Sequence, residues 1–348
     1  MSSPVRLALV GTGNIAAFHA QAIALVPEAK LVAAFSRSNP AAFAGKHACE
    51  PVNSLETLLA RRDVDAICIT TPSGAHGAPA IAAMRAGKHV LCEKPMEITA
   101  ARVDEMLAVA KETGRILGAI FQSRFGRGAV TLKKAIEEGR FGRLTVCSAY
   151  IKWWRTQAYY DSGAWRGTWE LDGGGALMNQ GIHAIDLLQW LVGLPAEVSA
   201  FSATLAHKRI AVEDTAVATL RFSNGALGVI EAATSAFPGA KKRIEISGEK
   251  GTAVLEDDTL TTWAFENELP EDAEIRSPRD GAGIGGGAAN PMDIGVEGHR
   301  LQIADFCTAI QQGSAPAIAG GEARNAVALI NAIYDSVKKG TPVSVGEY

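Results

Sequence analysis

The sequence predicts an α/β domain built on a parallel sheet, followed by an α+β domain built on a large, mostly antiparallel sheet with one open face. The chain has 348 residues, roughly the length of two domains. In its first third, short apolar runs alternate with helix-length segments, as parallel strands joined by helical crossovers require. After residue 122, alternating strand patterns are joined by turns such as Asn224-Gly225. We therefore expect domains at residues 1–122 and 123–348.

The first domain is predicted to alternate strands and helices along its whole length. Its apolar runs are too short for helices, and most are flanked by Gly, Pro or polar residues. The predicted strands are Val5–Val10, Leu31–Phe35, Ala66–Ile69, His89–Cys92 and Ile116–Ile120. The predicted helices are Ile15–Val26, Pro40–Cys49, Ser54–Arg61, Ala75–Ala86 and Ala100–Thr113.

The second domain is predicted to cover one face of a sheet with helices. Helices are expected at Val130–Glu138, Ala176–Leu191, Val296–Gln312 and Glu322–Lys339. Strands are expected at Leu144–Lys152, Glu197–Leu205, Thr215–Phe222, Leu227–Ala232, Arg243–Ser247, Thr252–Leu255 and Thr259–Phe265. The Gly/Ala-rich stretch Gly281–Asn290 is typical of a mobile surface loop.

Composition and charge exclude several classes of function. The formal net charge is −3 and no basic stripe appears, so we expect no nucleic-acid partner. We expect no membrane insertion, because no apolar run reaches the roughly 18 residues that a spanning helix needs. The N-terminus has no secretory signal pattern. The five cysteines lie far apart without metal-ligand spacing, so we expect reduced thiols, no metal site and a cytoplasmic location.

A glycine-rich turn follows the first strand directly and opens the first helix. Its pattern is G-x-G-x-x-A, in which Gly11 permits a tight turn and Gly13 lets the backbone approach a pyrophosphate. The helix begins at Asn14 and Ile15, where unpaired N–H groups and the positive dipole end face the phosphates. Ala16 suffices at the third position, which requires only close packing of helix on strand. The turn predicts a Rossmann domain that binds a dinucleotide.

The end of the second strand indicates which dinucleotide is bound. Enzymes that use NAD usually place Asp or Glu there to hold the ribose hydroxyls. This chain has Ser36, which does not repel a 2′-phosphate, and Arg37, which can pair with one. The pattern favours NADP over NAD. In the alternative interpretation Arg37 only stacks on the adenine, and either cofactor would serve.

Three further segments are distinctive: Thr71–His76, Ala86–Pro95 with its Glu-Lys-Pro triplet, and Gly173–Asp186. They resemble the glucose–fructose oxidoreductase, inositol dehydrogenase and MocA (Gfo/Idh/MocA) family, and the resemblance covers essentially the whole chain. In this family the triplet ends a sheet strand beside the nicotinamide. The resemblance and the chain positions together indicate cofactor contacts by Thr71, Pro72, His76, Glu93, Lys94, Gln122, Trp165 and Arg166.

The helix that starts near residue 176 is expected to carry the chemistry. At about 100° per residue, Asn179, His183 and Asp186 share one face of an otherwise apolar helix. The preceding glycines are interpreted as leaving room for cofactor or substrate. The resemblance implies that His183 is the general base and that Lys94 supports it. Inositol-dehydrogenase-like members have Asp where this chain has Asn179, which cannot relay a proton but can bind a substrate hydroxyl.

An aromatic segment from Lys152 to Trp169 holds four of the six tryptophans and suits a sugar ring. The alternative is that its aromatics pack the domain junction, which we favour for Trp153 and Trp169. Asp186 either orients His183 or bonds to neighbouring backbone. His19, His47, His89, His207 and His299 are interpreted as structural or solvated. The expected substrate contacts are Lys94, Arg124, Arg155, Tyr159, Asn179, Gln180 and His183.

The sequence therefore predicts an NAD(P)-dependent oxidoreductase that moves a hydride between nicotinamide and a secondary alcohol or ketone of a sugar, sugar derivative or cyclitol. One alternative is a nucleotide-sugar 3-dehydrogenase acting on an N-acetylglucosaminuronate. A second is a glycoside hydrolase that recycles a tightly bound nicotinamide. A non-catalytic cofactor sensor would not need both Lys94 and His183. An open apolar sheet face predicts a homodimer or homotetramer.

Overall fold

The computed structural model describes residues 3–277, 287–288 and 295–348, which form two compact units. One unit comprises Met1–Gln122 and Val296–Arg324, and the other comprises Ser123–Gly295 and Asn325–Tyr348. The first unit thus includes residues 296–324, which the sequence analysis had assigned to the second domain. Most of the predicted loop Gly281–Asn290 lies outside the described residues.

The chain order of strands and helices is as follows. The strands are β1 (Val5–Val10), β2 (Ala29–Phe35), β3 (Glu50–Val52), β4 (Ala66–Ile69), β5 (His89–Cys92), β6 (Leu117–Ala119), β7 (Leu144–Lys152), β8 (Pro195–Ala203), β9 (Thr215–Phe222), β10 (Leu227–Ala233), β11 (Arg243–Gly248), β12 (Gly251–Glu256), β13 (Thr259–Phe265) and β14 (Val343–Ser344). The helices are α1 (Asn14–Ala24), α2 (Pro40–Lys46), α3 (Leu55–Leu59), α4 (Gly77–Arg85), α5 (Ala100–Thr113), α6 (Arg127–Glu137), α7 (Gln157–Asp161), α8 (Ile182–Val192), α9 (Asp272–Arg276), α10 (Glu297–Gln312) and α11 (Gly320–Lys339). A π-helical segment, Ala176–Gly181, leads into α8.

The first unit is built on a parallel sheet with strand order β3-β2-β1-β4-β5-β6. This is the strand order of dinucleotide-binding folds, and the order reverses between β1 and β4. Ligands of such sheets bind at the carboxyl ends of the strands on either side of that reversal. The predicted Rossmann domain is confirmed.

Helix α10 belongs to this first unit because its apolar side chains complete the core of the sheet. Ile303, Phe306 and Cys307 are fully buried in the same cluster as Leu7 and Leu9 of β1. The helix is predicted from the sequence, but the sheet that it covers is not. Helical periodicity reveals which face is apolar and carries no information about the partner.

The edge strand β3 was not predicted from the sequence. It has only three residues, two of them exposed, and its central residue is Pro51. Proline cannot donate to a β-ladder and is tolerated at a sheet edge. The strand exists because it pairs with Ala33–Phe35 of β2, a contact that no local pattern announces.

The second unit is built on a sheet with strand order β13-β12-β11-β7-β10-β9-β8-β14. Only β7 and β10 pair in parallel among these strands, and the remaining pairs are antiparallel. Alternate residues of β9 are buried and exposed, so one face is covered and the other is open. The predicted α+β domain with a mostly antiparallel, open-faced sheet is confirmed. No helix of the described residues is both long and apolar enough to cross a membrane.

The expected continuous α-helix from Ala176 begins instead as the π-helical segment. A π-helix bonds each residue to the fifth one along, so the spacing of 100° per residue does not apply before α8. Gly181 allows the backbone of the π-helical turn to pass close to the carbonyl oxygen of Ala176, since a Cβ at Gly181 would lie 2.8 Å from that oxygen. Such turns occur frequently at functional sites.

Candidate functional site

The two glycines of the turn after β1 serve different purposes. Gly11 has φ of +105°, and a Cβ at this position would lie 2.6 Å from the carbonyl oxygen of Thr70. Only glycine tolerates both constraints. A Cβ on Gly13 would instead meet no atom within 4 Å. The turn is therefore closed against β4 at its first glycine and open to a ligand at its second.

The opening of α1 leaves backbone donors for that ligand. Gly13 is the N-cap residue, and it has no side chain that could accept from the first amides of the helix. Asn14 is exposed and Ile15 is half-buried. The terminal N–H groups and the helix dipole together suit a phosphate.

The end of β2 lies next to the same turn. The hydroxyl of Thr12 is 2.9 Å from that of Ser36, which joins the two loops. Arg37 is exposed. No carboxylate occupies the position where NAD enzymes usually hold the ribose hydroxyls.

His76 ties the loop after β4 to the turn after β5. Its Nε2 lies 2.8 Å from the carbonyl oxygen of Thr71, and its Nδ1 lies 2.8 Å from that of Pro95. A neutral imidazole can donate only one of these two bonds. The ring is buried, and Pro72 starts the short turn that carries it. His76 thus braces the loops on which Thr71 and Lys94 stand.

Glu93 is buried between two histidines that the sequence analysis had set aside. Its Oε1 is 2.8 Å from Nε2 of His19 and 3.4 Å from Nε2 of His299. Burial alone would raise the pKa of the Glu93 carboxyl, but the two imidazoles hold it well below its usual range. Burial lowers the pKa of His19. Glu93 also accepts a 3.1 Å hydrogen bond from the backbone N–H of Lys94, so the group orders the Glu-Lys-Pro turn.

Sequence reasoning missed this group because His19, Glu93 and His299 come from three distant segments. His19 lies on the buried side of α1, six residues after Gly13, which was the available signal. The ligating atoms of the three residues lie within 4.8 Å of one another, and their donor types are those of metal sites. The expectation that the chain holds no metal stays a prediction.

Gln122, expected near the cofactor, is 8% exposed, and its side-chain oxygen is buried without a hydrogen-bond partner among the described residues. A buried acceptor left unpaired costs free energy. A ligand with an N–H or O–H group could satisfy it. The fit between these residues and a dinucleotide therefore rests on an open glycine turn and on an unsatisfied acceptor.

In the second unit, Asn179 and Gln180 belong to one hydrogen-bonded chain. The Asn179 amide donates to the carboxylate of Asp172, and its oxygen accepts a 2.6 Å bond from Gln180 Nε2. Gln180 Nε2 also lies 3.0 Å from the hydroxyl of Tyr159. Asp172, which is buried and also accepts from the N–H of Gly167, was missed by the sequence analysis. It places a carboxylate beside the position where inositol-dehydrogenase-like members carry one.

Tyr159 joins this chain to Arg166. Arg166 donates a 2.6 Å hydrogen bond to the Tyr159 hydroxyl, and its guanidinium lies 4.2 Å from the centre of that ring. The same guanidinium lies 4.5 Å from the ring of Trp165. Burial raises the pKa of Tyr159, and the two nearby arginines partly oppose this. The aromatic segment therefore presents a cation held between two rings.

Arg155 donates all its hydrogen bonds to groups of the protein itself. Its side chain is 2% exposed, and it donates twice to Gln180 Oε1. Its remaining donors reach the carbonyl oxygens of Trp154, Gly287 and Ala288. All five N–H groups are thereby used. The expected substrate contact by Arg155 is replaced by a role in fixing Gln180.

Arg124 is likewise committed to a partner within the second unit. It is buried, and two of its nitrogens lie 2.8 Å and 2.6 Å from the carboxylate oxygens of Asp186. This bidentate pair explains why Asp186 is fully buried on α8. The π-helical segment changes the register of Asn179 relative to α8, whereas His183 and Asp186 both lie on α8, so the three side chains do not share the single α-helical face expected from the sequence. His183 itself is partly exposed.

The glycines before the π-helical segment make room for protein atoms. A Cβ on Gly174 would lie 2.0 Å from the hydroxyl of Tyr334, and one on Gly175 would lie 1.8 Å from the carbonyl oxygen of Glu213. From the sequence alone, this stretch is expected to leave space for a cofactor or substrate. The structure gives a different reason for these two glycines, because α11 and the segment that leads into β9 pack against them.

Comparisons with known proteins agree with this architecture. The model of an oxidoreductase family with an NAD-binding Rossmann fold matches residues 5–121, and that of the GFO/IDH/MocA C-terminal domain matches residues 129–254. Inositol 2-dehydrogenase of Rhizobium meliloti (strain 1021) is 30% identical over 353 residues, covering 98% of this chain and 99% of that protein. The 1,5-anhydro-D-fructose reductase of Ensifer adhaerens is 31% identical over 258 residues, covering 71% and 74%.

A solved structure is similar along nearly the whole chain. The WlbA dehydrogenase from Bordetella pertussis, in complex with NADH and UDP-GlcNAcA, has a TM-score of 0.89 and 36% sequence identity, covering 99% of this chain and 98% of that one. These findings confirm the resemblance seen in the sequence and the expected nicotinamide class of cofactor. The chain belongs to the GFO/IDH/MocA family of oxidoreductases with an NAD-binding Rossmann fold.

Proposed function

We propose that this protein is a dehydrogenase or reductase that interconverts a secondary alcohol and a ketone on a sugar, a sugar derivative or a cyclitol. The observation that carries the proposal is the turn after β1, closed at Gly11 and open at Gly13, at the strand-order reversal of a parallel sheet. The named relatives, an inositol 2-dehydrogenase and a 1,5-anhydro-D-fructose reductase, support this substrate class.

The reaction requires one hydride acceptor and one proton acceptor. When bound, the nicotinamide ring supplies or accepts the hydride. We assign proton transfer at the substrate hydroxyl to His183, because imidazole ordinarily titrates near neutral pH. From the resemblance we also assign a supporting role to the ammonium group of Lys94. Asn179, held by Asp172 and Gln180, is assigned a hydrogen bond to a substrate hydroxyl.

Replacement of the proposed base tests this assignment. His183→Ala is expected to lower kcat/KM by about 10²- to 10⁴-fold, the usual contribution of general base catalysis. Steady-state rates of nicotinamide reduction measure the effect. His47→Gln, which changes a histidine on α2's C-terminal side, is the control and should keep wild-type rates. An active His183→Ala enzyme would remove His183 from the mechanism.

Within the nicotinamide class we propose a preference for NADP over NAD. Support comes from the neutral Ser36 beside the turn and from the exposed cation of Arg37. Arg37→Ala should raise KM for NADP by about tenfold or more through loss of a charge-assisted bond, with little change for NAD. Ser36→Asp should reverse the preference, and Lys46→Ala, which removes an exposed cation from α2, should change neither. An equal loss for both cofactors would show that Arg37 only stacks on the adenine.

The two glycines of the turn offer a matched test of cofactor binding. Gly11→Ala should cost about 1–3 kcal/mol of unfolding free energy, because it combines a left-handed backbone with a close contact. Gly13→Ala should leave stability within about 0.5 kcal/mol and raise KM for the cofactor by about tenfold, since its methyl group meets only the ligand. Urea unfolding and cofactor titration measure the two effects. Equal behaviour of both variants would contradict a dinucleotide at this turn.

A second candidate is oxidation of a nucleotide-linked N-acetylglucosaminuronate. The WlbA dehydrogenase that resembles this chain was solved with UDP-GlcNAcA, and Arg166 here is a cation held among aromatic rings. A panel of free sugars, cyclitols and nucleotide sugars, each with NAD and NADP, separates the two candidates by kcat/KM. Release of free sugar without net nicotinamide reduction would instead indicate a hydrolase.

We also propose that the protein is a homo-oligomer in the cytoplasm. Four apolar side chains on the open face of the second unit's sheet are 43–84% exposed: Val146, Phe201, Val217 and Leu227. Phe201 pairs with Val217 across β8 and β9, and Leu227 pairs with Val146 across β10 and β7. Such a patch suits an interface between copies. Analytical ultracentrifugation should detect a dimer or tetramer, and Phe201→Asp should weaken it. The free cysteines suit a reducing compartment.

A further inference from the structure

A buried carboxylate holds the start of the π-helical segment. Glu213 Oε2 accepts a 3.0 Å hydrogen bond from the N–H of Gly175, and Oε1 accepts a 2.9 Å bond from the N–H of Leu177. The backbone oxygen of Glu213 also accepts a 3.0 Å bond from the N–H of Ala176. Three consecutive backbone amides at the start of the π-helical segment therefore donate to Glu213.

The hydroxyl of Tyr334 on α11 completes this arrangement. It donates a 2.9 Å hydrogen bond to Glu213 Oε1. It also stands where a side chain on Gly174 would be. The carboxylate thus has three neutral donors, from the π-helical segment and from α11. It is 4% exposed.

Two tyrosines interact with the Glu213 carboxyl. Tyr334 donates to it from α11, and Tyr160 interacts with it electrostatically from α7. Asp172 acts on the same tyrosines from the loop before the segment. Asp214, next in sequence, turns its carboxylate toward the backbone amides of Leu205–His207.

The amides that bond to Glu213 lie directly before the residues that we expect to contact substrate. Leu177 precedes Asn179 by two positions, and Gln180 follows Asn179 in the same π-helical segment. Any loosening of the Gly175 and Leu177 bonds moves the Asn179 amide relative to Asp172. A displacement of about 1 Å at a reacting group can cost about 100-fold in rate.

We propose that Glu213 is a positioning residue whose ionised carboxylate fixes the π-helical segment, and with it the Asn179–Gln180 pair, for catalysis. The proposal rests on the proposed function, because it assumes that Asn179 touches substrate. Protonation of the carboxyl removes a lone pair that faces a donor, so the fixed geometry belongs to the ionised form. Burial raises the pKa of Glu213 to about 7, which places this change near neutral pH.

The pH dependence of kcat/KM tests the proposal. In the wild type, two groups must lose a proton on the acid side, His183 as base and Glu213 as the positioning group, so the acid limb should have a slope near two. Glu213→Gln should lower kcat/KM by about 10- to 100-fold and reduce that slope to about one. Tyr334→Phe is a milder change that retains the carboxylate. It should shift the deprotonation of Glu213 to higher pH, because the ionised carboxylate loses one hydrogen-bond donor. Glu231→Gln, on the adjacent strand β10, is the control and should match the wild type.

Hydrogen–deuterium exchange reads the same contact without any substrate. The amides of Gly175 and Leu177 should exchange about tenfold faster or more in Glu213→Gln than in the wild type, whereas those of β9 should not change. Far-UV circular dichroism checks that the variant folds. Unchanged exchange at these two amides would overturn the proposal.

The two experiments separate the possible failures. Faster exchange together with a lack of hydride transfer to every sugar tested would mean that Glu213 positions the segment but that the proposed function is wrong. Hydride transfer that Glu213→Gln leaves at the wild-type rate, with a slope of two, would mean that the function stands and the positioning role is wrong.

Discussion

Glu93 in the first unit and Glu213 in the second are the same residue type with the same exposure, 4%, yet their pKa values move in opposite directions. The pKa of Glu93 is held well below its usual range, and that of Glu213 is raised to about 7. Burial opposes ionisation in both cases, so burial does not account for the difference. The partners account for it.

Two imidazoles face Glu93, whereas two backbone amides and the hydroxyl of Tyr334 donate to Glu213. An imidazole can share a positive charge with the carboxylate, whereas an amide or a hydroxyl offers only a dipole. The first unit therefore keeps a carboxyl beside Lys94 that stays ionised to lower pH than an ordinary glutamate. The second keeps a carboxyl whose charge changes near neutral pH.

The largest expected effect comes from removing the carboxylate of Glu93. Glu93→Ala leaves His19 buried without its hydrogen-bond partner, removes the carboxylate beside His299, and also opens a cavity. We expect a loss of about 3–5 kcal/mol in the unfolding free energy of the first unit. Urea unfolding followed by far-UV circular dichroism measures this loss.

A matched variant and an internal probe localise that loss. Glu105→Ala changes an exposed glutamate on α5 and should stay within about 0.5 kcal/mol of the wild type. All six tryptophans lie at residues 153–263, so tryptophan fluorescence reports the second unit. A Glu93→Ala protein that is as stable as Glu105→Ala would show that the three side chains contribute nothing together.

The next effect is a pair of opposite pH dependences. Glu213 has a raised pKa in the folded state, so its stability contribution is complete below its ordinary pKa of 4.5 and is lost as pH rises through about 7. The shift corresponds to about 3 kcal/mol at about 1.4 kcal/mol for each pH unit. Glu93 contributes stability above its ordinary pKa, and this is lost as pH falls.

Unfolding free energies measured from about pH 5 to about pH 8 by tryptophan fluorescence test the first of these slopes. Glu213→Gln should remove the decline with rising pH that the wild type shows in this window. If the wild type and the variant have parallel pH profiles, Glu213 does not titrate between those limits. In that case the contrast with Glu93 would disappear.

The smallest expected effect is the loss of one hydrogen bond. Tyr334→Phe removes a single donor from Glu213 and leaves the aromatic packing in place. We expect a cost of about 1–2 kcal/mol above pH 7, where the carboxylate is charged, and less at lower pH. A cost that does not vary with pH would mean that the hydroxyl acts by filling space beside Gly174.

Local patterns determined much of the fold from the sequence alone. The bounds of β1, β4, β5, β7 and α5 were predicted to the residue, because strand alternation, apolar run length and capping are properties of neighbouring positions. The turn at Gly11 and Gly13 was predicted for the same reason. Glycine is required at the two positions for different physical reasons, and both positions lie within one short segment.

The tertiary structure alone decided which distant residues meet. His19 reaches Glu93 across 74 positions and Tyr334 reaches Glu213 across 121, and no periodicity relates such pairs. The same holds for α10, whose sequence shows an apolar face but not the sheet beneath it. It also holds for the π-helical segment, because the amides at its start bond to the carboxylate of Glu213, a partner that helical spacing does not predict. Propensity acts between neighbours, whereas a buried charge is set by whatever the folded chain brings against it.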